Sequence, residues 1–292
     1  MKKILFKGCG TAIATPFCET GVNLEEFAKL VEDQIQNGVD GLIVCGTTGE
    51  ASTMTEEERL KTIECAVKVA NGRIPIIAGT GSNNTKAVIE MNKKVENLGV
   101  DGVLIVTPYY NKTTQEGLIK HYTEIAKNTD LPIILYNVPG RTGVNIKPET
   151  AYELSKIENI VAIKEASGDL SQIAKTAHLC GDNLNIYSGN DDQVIPILSL
   201  GGIGVISVLS NIKPKYTHDM CYSFFNKDTQ KACKMQLDAI ELINALFSEV
   251  NPIPVKEALN IIGYNYGVPR MPLIPLSEKN KQVLEKCIKV LN

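Results

Sequence analysis

A chain of 292 residues is long enough for two ordinary domains or for one α/β barrel, a fold that takes roughly 250 residues as a single unit. Apolar residues make up 43% and charged residues 22%, the balance of a globular protein with a packed core; the net charge of −3 leaves no basic surface for nucleic acid or an anionic membrane. The opening MKKILFKGCG has too short an apolar stretch for a secretory leader, and no run approaches a membrane span, so a cytoplasmic protein is expected.

The first apolar run is TAIATP (11–16). A helix follows: Asn23 and Glu26 have capping-box spacing, and Leu24, Phe27, Leu30, Val31 and Ile35 fall on one face. GLIVC (41–45) is the second run, and Thr55 and Glu58 repeat the cap spacing behind it. IPIIAGTG (74–81) is the third, with Ser82, Asn83, Asn84 and Thr85 as caps for the next helix. GVLIVTP (102–108), LPIILYNVP (131–139), NIVAIKE (159–165), LNIYSGN (184–190) and GGIGVISV (201–208) bring the count to eight. Most are continuously apolar, which suits parallel strands buried on both faces. Strand and helix alternate with a period of about 30 residues, the rhythm of βα units. GVDGLIV (38–44) returns as GVDGVLIV (99–106), two units later.

This pattern predicts an α/β fold, a (β/α)8 TIM barrel over residues 1–227. A doubly wound open sheet is the alternative, and no GxGxxG follows a first strand to favour it. Beyond residue 227 the rhythm stops. Residues 228–250 read as one helix, NPIPVKEALNIIG as a second and SEKNKQVLEKCIKVL as a third, a C-terminal helical domain over 228–292. The eight cysteines form no CxxC pair, so neither zinc nor a redox motif is signalled, and they read as reduced core residues. His121, His178 and His218 are scattered and read as structural or surface residues. No metal and no cofactor is expected.

Barrel enzymes work at the C-terminal ends of their strands. There the sequence places Thr47 and Thr48 in GTTGE, Tyr109 and Tyr110 in TPYYN, Tyr136 and Arg141 in YNVPGRTG, Lys164, then Gly189 in YSGN and Ile206 within the last run. Singly, each has a plain explanation: Lys164 can end a strand or pair with Glu165, a tyrosine can be core, and Arg141 can be a solvated loop residue. Together, a lysine without metal ligands suggests Schiff-base chemistry, because burial disfavours an ammonium and frees a neutral amine to attack a carbonyl. Tyr136 and Tyr110 could shuttle protons, the Thr47–Thr48 turn could hold a small carboxylate, and Arg141 could clamp a second one.

At these residues the chain resembles the dihydrodipicolinate synthase / N-acetylneuraminate lyase family of class I aldolases. The likeness runs nearly end to end: GTAIATPF, GTTGE, GTGSNNT, TPYYN, YNVPGRTG, IKEASGD, YSGND and NPIPVK. Arg141 and the Thr-Thr pair look like the dihydrodipicolinate synthase branch. The resemblance implies a lyase, a homotetramer, that condenses pyruvate with L-aspartate 4-semialdehyde in diaminopimelate and lysine biosynthesis. It implies that Lys164 binds pyruvate. By the same resemblance, Tyr136, Thr47 and Tyr110 would form the proton relay, with Tyr110 reaching a neighbouring subunit's site, while Thr48 would take the pyruvate carboxylate, Arg141 that of the semialdehyde, and Gly189 and Ile206 would lend backbone. Relatives inhibited by lysine carry a histidine and a glutamate where this chain has Glu56, Arg59 and Ala87, so weak or absent inhibition is expected. Three other readings stay open at this stage: a sugar-acid lyase of the same family, a non-catalytic barrel that binds metabolites, and a pyridoxal-phosphate barrel enzyme.

Overall fold

The computed structural model describes residues 2–291. Eight parallel strands close into a barrel: β1 (Gly8–Ala12), β2 (Gly41–Val44), β3 (Ile76–Gly79), β4 (Gly102–Val106), β5 (Ile133–Asn137), β6 (Ile160–Glu165), β7 (Asn185–Ser188) and β8 (Gly204–Ser207). Each strand pairs with the next, and β8 closes on β1 with Gly204 opposite Gly8. Helices α1 (Leu24–Gln36), α2 (Glu56–Ala70), α3 (Thr85–Glu96), α4 (Gln115–Ala126), α5 (Pro148–Ser155), α6 (Leu170–Cys180), α7 (Val194–Ser199) and α8 (Pro214–Phe225) follow the strands in turn.

The continuous apolar runs have the cause expected of them. Alternate residues point inward and outward, and both faces are covered. Ile43, Ile77, Leu104, Ile134, Ala162 and Ile206 pack inside the barrel, while a larger layer fills the space between strands and helices. The interior is closed at its lower end by Phe6, stacked on Tyr187 with ring centroids 4.4 Å apart. Gly10 is glycine for this reason: a Cβ there would lie 2.4 Å from the Phe6 ring.

Two elements differ from the expected ones. The first strand is Gly8–Ala12, not 11–16. Its GCG segment lacks the bulky residues that mark a strand, yet it pairs with Gly204–Ile206. Past Ala12 the chain leaves this ladder, and the Ala14 amide donates instead to the Asn211 side chain at 3.0 Å. The expected helix over 228–250 is two, α9 (Thr229–Asp238) and α10 (Ile240–Leu246), broken at Ala239. The Met235 carbonyl there accepts the Tyr216 hydroxyl at 2.7 Å as well as the Ala239 amide at 3.2 Å, and a donor inserted in the ladder bends a helix. α11 (Ile253–Ile261) and α12 (Glu278–Val290) complete the chain. Among the described residues no helix is long and apolar enough to cross a membrane.

Candidate active site

Lys164 lies at the C-terminal end of β6, only 5% exposed, and Tyr136 of β5 stands opposite it in the ladder. Its ammonium is 4.5 Å from the centre of the Tyr136 ring. Glu165, the neighbour that could have neutralised it, points to the other face. There its carboxylate accepts the Asn137 side-chain amide at 3.0 and 3.1 Å and the Ser167 backbone amide at 2.9 Å. Burial pushes the Glu165 carboxyl above the usual range. Among the described residues no ion pair involves Lys164.

A cleft of about 490 Å³ opens at this end of the barrel, and Thr47, Tyr109, Tyr136 and Arg141 line it. Lys164 and Thr48 are not part of that lining; both are buried. Thr48 Oγ1 accepts the Asn251 side-chain amide at 3.0 Å. An amide nitrogen only donates, so the Thr48 hydroxyl proton stays free for an anion. Arg141 sits on a single helical turn, Pro139–Thr142, and donates through Nη2 to the Asn251 carbonyl at 3.1 Å. Gly189 donates its amide to the Glu165 carbonyl at 2.7 Å. Ile206 is wholly buried inside the barrel. Tyr110 is the exception: it is 91% exposed, at a φ of 67°, and is not brought to Lys164 within the chain.

One group of residues was not assigned by sequence. Glu50, the last residue of GTTGE, pairs with Lys256 of NPIPVK at 2.8 Å, the two side chains 1% and 0% exposed. The second Glu50 oxygen accepts the Arg270 amide at 2.9 Å. Lys256 and Arg270 both stand over the Phe17 ring, at 4.1 and 4.0 Å. Arg270 also grips Glu58 with two hydrogen bonds, holding that carboxyl at about 2. Burial draws the Lys256 ammonium below the ordinary lysine range, against the pull of Glu50. The available signal was a lysine inside an apolar helix, which must have a partner if it is buried.

His121 is buried beside the Thr85 hydroxyl, and His218 lies 3.0 Å from Asp40, both remote from Lys164 in the fold's elements. Among the described residues no cluster of histidine, cysteine and carboxylate side chains could hold a metal ion.

Known proteins resemble the chain along nearly its whole length. The chain is 57% identical over 285 residues to the 4-hydroxy-tetrahydrodipicolinate synthase 1 of Clostridium acetobutylicum, covering 98% of this chain and 97% of that protein. It is 56% identical over 283 residues to the Clostridium tetani enzyme of the same description, covering 97% and 96%. The solved dihydrodipicolinate synthase of Thermotoga maritima superposes with a TM-score of 0.96 at 46% identity, covering 98% of each chain. That of Acinetobacter baumannii, described as chloride inhibited and solved with pyruvate, gives 0.95 at 44%, again covering 98% of each. The model of the dihydrodipicolinate synthetase family matches residues 5–291, strands and C-terminal helices alike, and the chain belongs to that family.

Proposed function

We propose that the chain is a 4-hydroxy-tetrahydrodipicolinate synthase, a lyase of the class I aldolase type that condenses pyruvate with L-aspartate 4-semialdehyde. The observation that carries the reading is Lys164: a lysine in the barrel interior, in no ion pair among the described residues, against the Tyr136 ring that lines the cleft.

In this reading the Lys164 amine attacks the ketone of pyruvate and water leaves, giving an imine. The imine draws electrons from the adjacent methyl carbon, which loses a proton and becomes a nucleophile. That carbon attacks the aldehyde of the second substrate. The semialdehyde's own amine then displaces Lys164 and closes the ring. Tyr136, Thr47 and Tyr110 carry the protons, Tyr110 from a neighbouring subunit of a homotetramer. Its exposure in the single chain suits that role. Thr48, with its free hydroxyl proton, holds the pyruvate carboxylate. Arg141 takes the carboxylate of the semialdehyde, and Gly189 and Ile206 line the pocket with backbone. Arg141 also weighs against a sugar-acid lyase. Residues 1–227 form the catalytic barrel and 228–292 a helical domain that braces it, in a cytoplasmic enzyme of diaminopimelate and lysine biosynthesis.

Borohydride reduction in the presence of pyruvate, followed by peptide mass spectrometry, tests the reading. A pyruvate-sized adduct on Lys164 is expected. No adduct, or one on a different lysine, would overturn it. Turnover of pyruvate with aspartate semialdehyde, but not of sugar acids, separates the two lyases.

A further inference from the structure

The turn after β2 is held in a shape its residues do not favour. Cys45 and Glu50 bracket Gly46–Thr47–Thr48–Gly49, and neither is glycine, yet their φ angles are 57° and 53°. In that region a side chain crowds its own backbone, and such residues persist where the surroundings over-determine them. The surroundings here come largely from one distant stretch. Lys256 Nζ and the Arg270 amide hold the two carboxylate oxygens of Glu50 at 2.8 and 2.9 Å. Asn251 donates to Thr48 and accepts from Arg141. Phe17 lies under both cations and fixes their height.

A buried ion pair contributes little net stability, because desolvating two charges offsets their attraction. What it does supply is direction: a carboxylate gripped by two donors cannot rotate, and the backbone that carries it cannot relax. We infer that the Glu50–Lys256 pair is a positioning device, which sets the Thr47 and Thr48 hydroxyls at the distance from Lys164 that the reaction needs. Asn251 extends the same brace to Arg141, so the groups for both substrates are placed by residues 251–270. The inference rests on the proposed roles of Thr47 and Thr48. It assigns Glu50 and Lys256 a part in turnover although neither is in the lining of the cleft.

The double variant Glu50→Gln with Lys256→Met tests this. It removes both charges, nearly conserves volume and keeps an acceptor for the Arg270 amide. It is expected to melt close to the unaltered protein, whereas each single variant leaves a buried charge unpaired and melts lower. Measured well below its melting temperature, the double variant is expected to lose about tenfold or more in kcat and to show a raised KM for pyruvate. Borohydride should still trap pyruvate on Lys164 at saturating pyruvate, since β6 is untouched. Unaltered kcat and KM in the folded double variant would reduce the pair to a structural contact and overturn the inference. Glu50→Asp keeps the charge but withdraws it by one methylene, and it reads the same quantity if the double variant fails to fold. Loss of kcat in folded Glu50→Asp supports positioning, and full activity refutes it. The unaltered chain is assayed alongside. Its failure to turn over the two substrates would overturn the proposed reaction itself, an outcome distinct from active enzyme with insensitive variants.

Discussion

His121 is 7% exposed, with Nδ1 2.9 Å from the Thr85 hydroxyl and Nε2 buried without a partner. Burial holds it down at about 4, whereas a histidine in an unfolded chain titrates near 6.5. Between those values the unfolded chain binds a proton that the folded one refuses. This contribution to stability is therefore complete above pH 6.5 and is lost as pH falls towards 4, by about 3 kcal/mol at most. Denaturant titrations at pH 7 and pH 4.5 should show this loss in the unaltered protein and a smaller one in His121→Gln; equal losses in both would refute it. Gly189→Ala is a sharper case. An added Cβ would meet Ala166 Cβ at 2.6 Å and the Glu165 carbonyl at 3.0 Å, so β6 and β7 must part beside Lys164. A destabilisation of about 1–3 kcal/mol is expected, seen as a lower melting temperature, with a fall in kcat. The strand-end residues were legible in the sequence because each closes an apolar run, and position along a run is local information. Glu50, Lys256 and Asn251 were not, because their meaning lies in partners more than two hundred residues away.

At the scale of elements, cap spacing was a guide with one instructive departure. Thr55 and Glu58 form both halves of a capping box, with bonds of 3.2 and 2.9 Å. Thr55→Ala should lower stability by about 1 kcal/mol, measured by denaturant midpoint, with no change in KM. Asn23 and Glu26 have the same spacing but make only half the box. The Asn23 side chain takes the Glu26 amide at 3.1 Å, while the Glu26 carboxylate turns to the Asn265 amide at 2.7 Å. A spacing fixes which groups can meet, and tertiary contacts decide whether they do. The break at Ala239 has the same lesson, since the Tyr216 hydroxyl that causes it comes from α8.

For the whole molecule, eight βα units in a row made the barrel legible, since eight is the number that a closed barrel takes, and the sheet closes because each strand lies beside the next and β8 pairs with β1. Association between chains leaves a weaker trace. Tyr110, 91% exposed at the rim, gives the proposed tetramer a specific expectation. Tyr110→Phe should keep the elution volume of the unaltered protein on size exclusion and lower kcat; a full kcat would remove the residue from the relay. Regulation is a property of the same scale. Glu56 is engaged by Lys94 at 2.5 Å, and Arg59 lines the cleft with its guanidinium on the Gly79 carbonyl at 2.8 Å. A lysine ammonium brought to these residues would meet a cation, so insensitivity to lysine is expected, and half-inhibition at sub-millimolar lysine would contradict it.

The brace between residues 251–270 and the turn after β2 also bears on the order in which the enzyme is made. A ribosome finishes Thr48 and Glu50 some two hundred residues before Asn251 and Lys256. A nascent chain can thus complete all eight strands, and bury Lys164, while the threonines still wait for their support. Such a chain would have the shape of the enzyme before it has the competence, and activity would arrive late, with about the last seventh of the polypeptide.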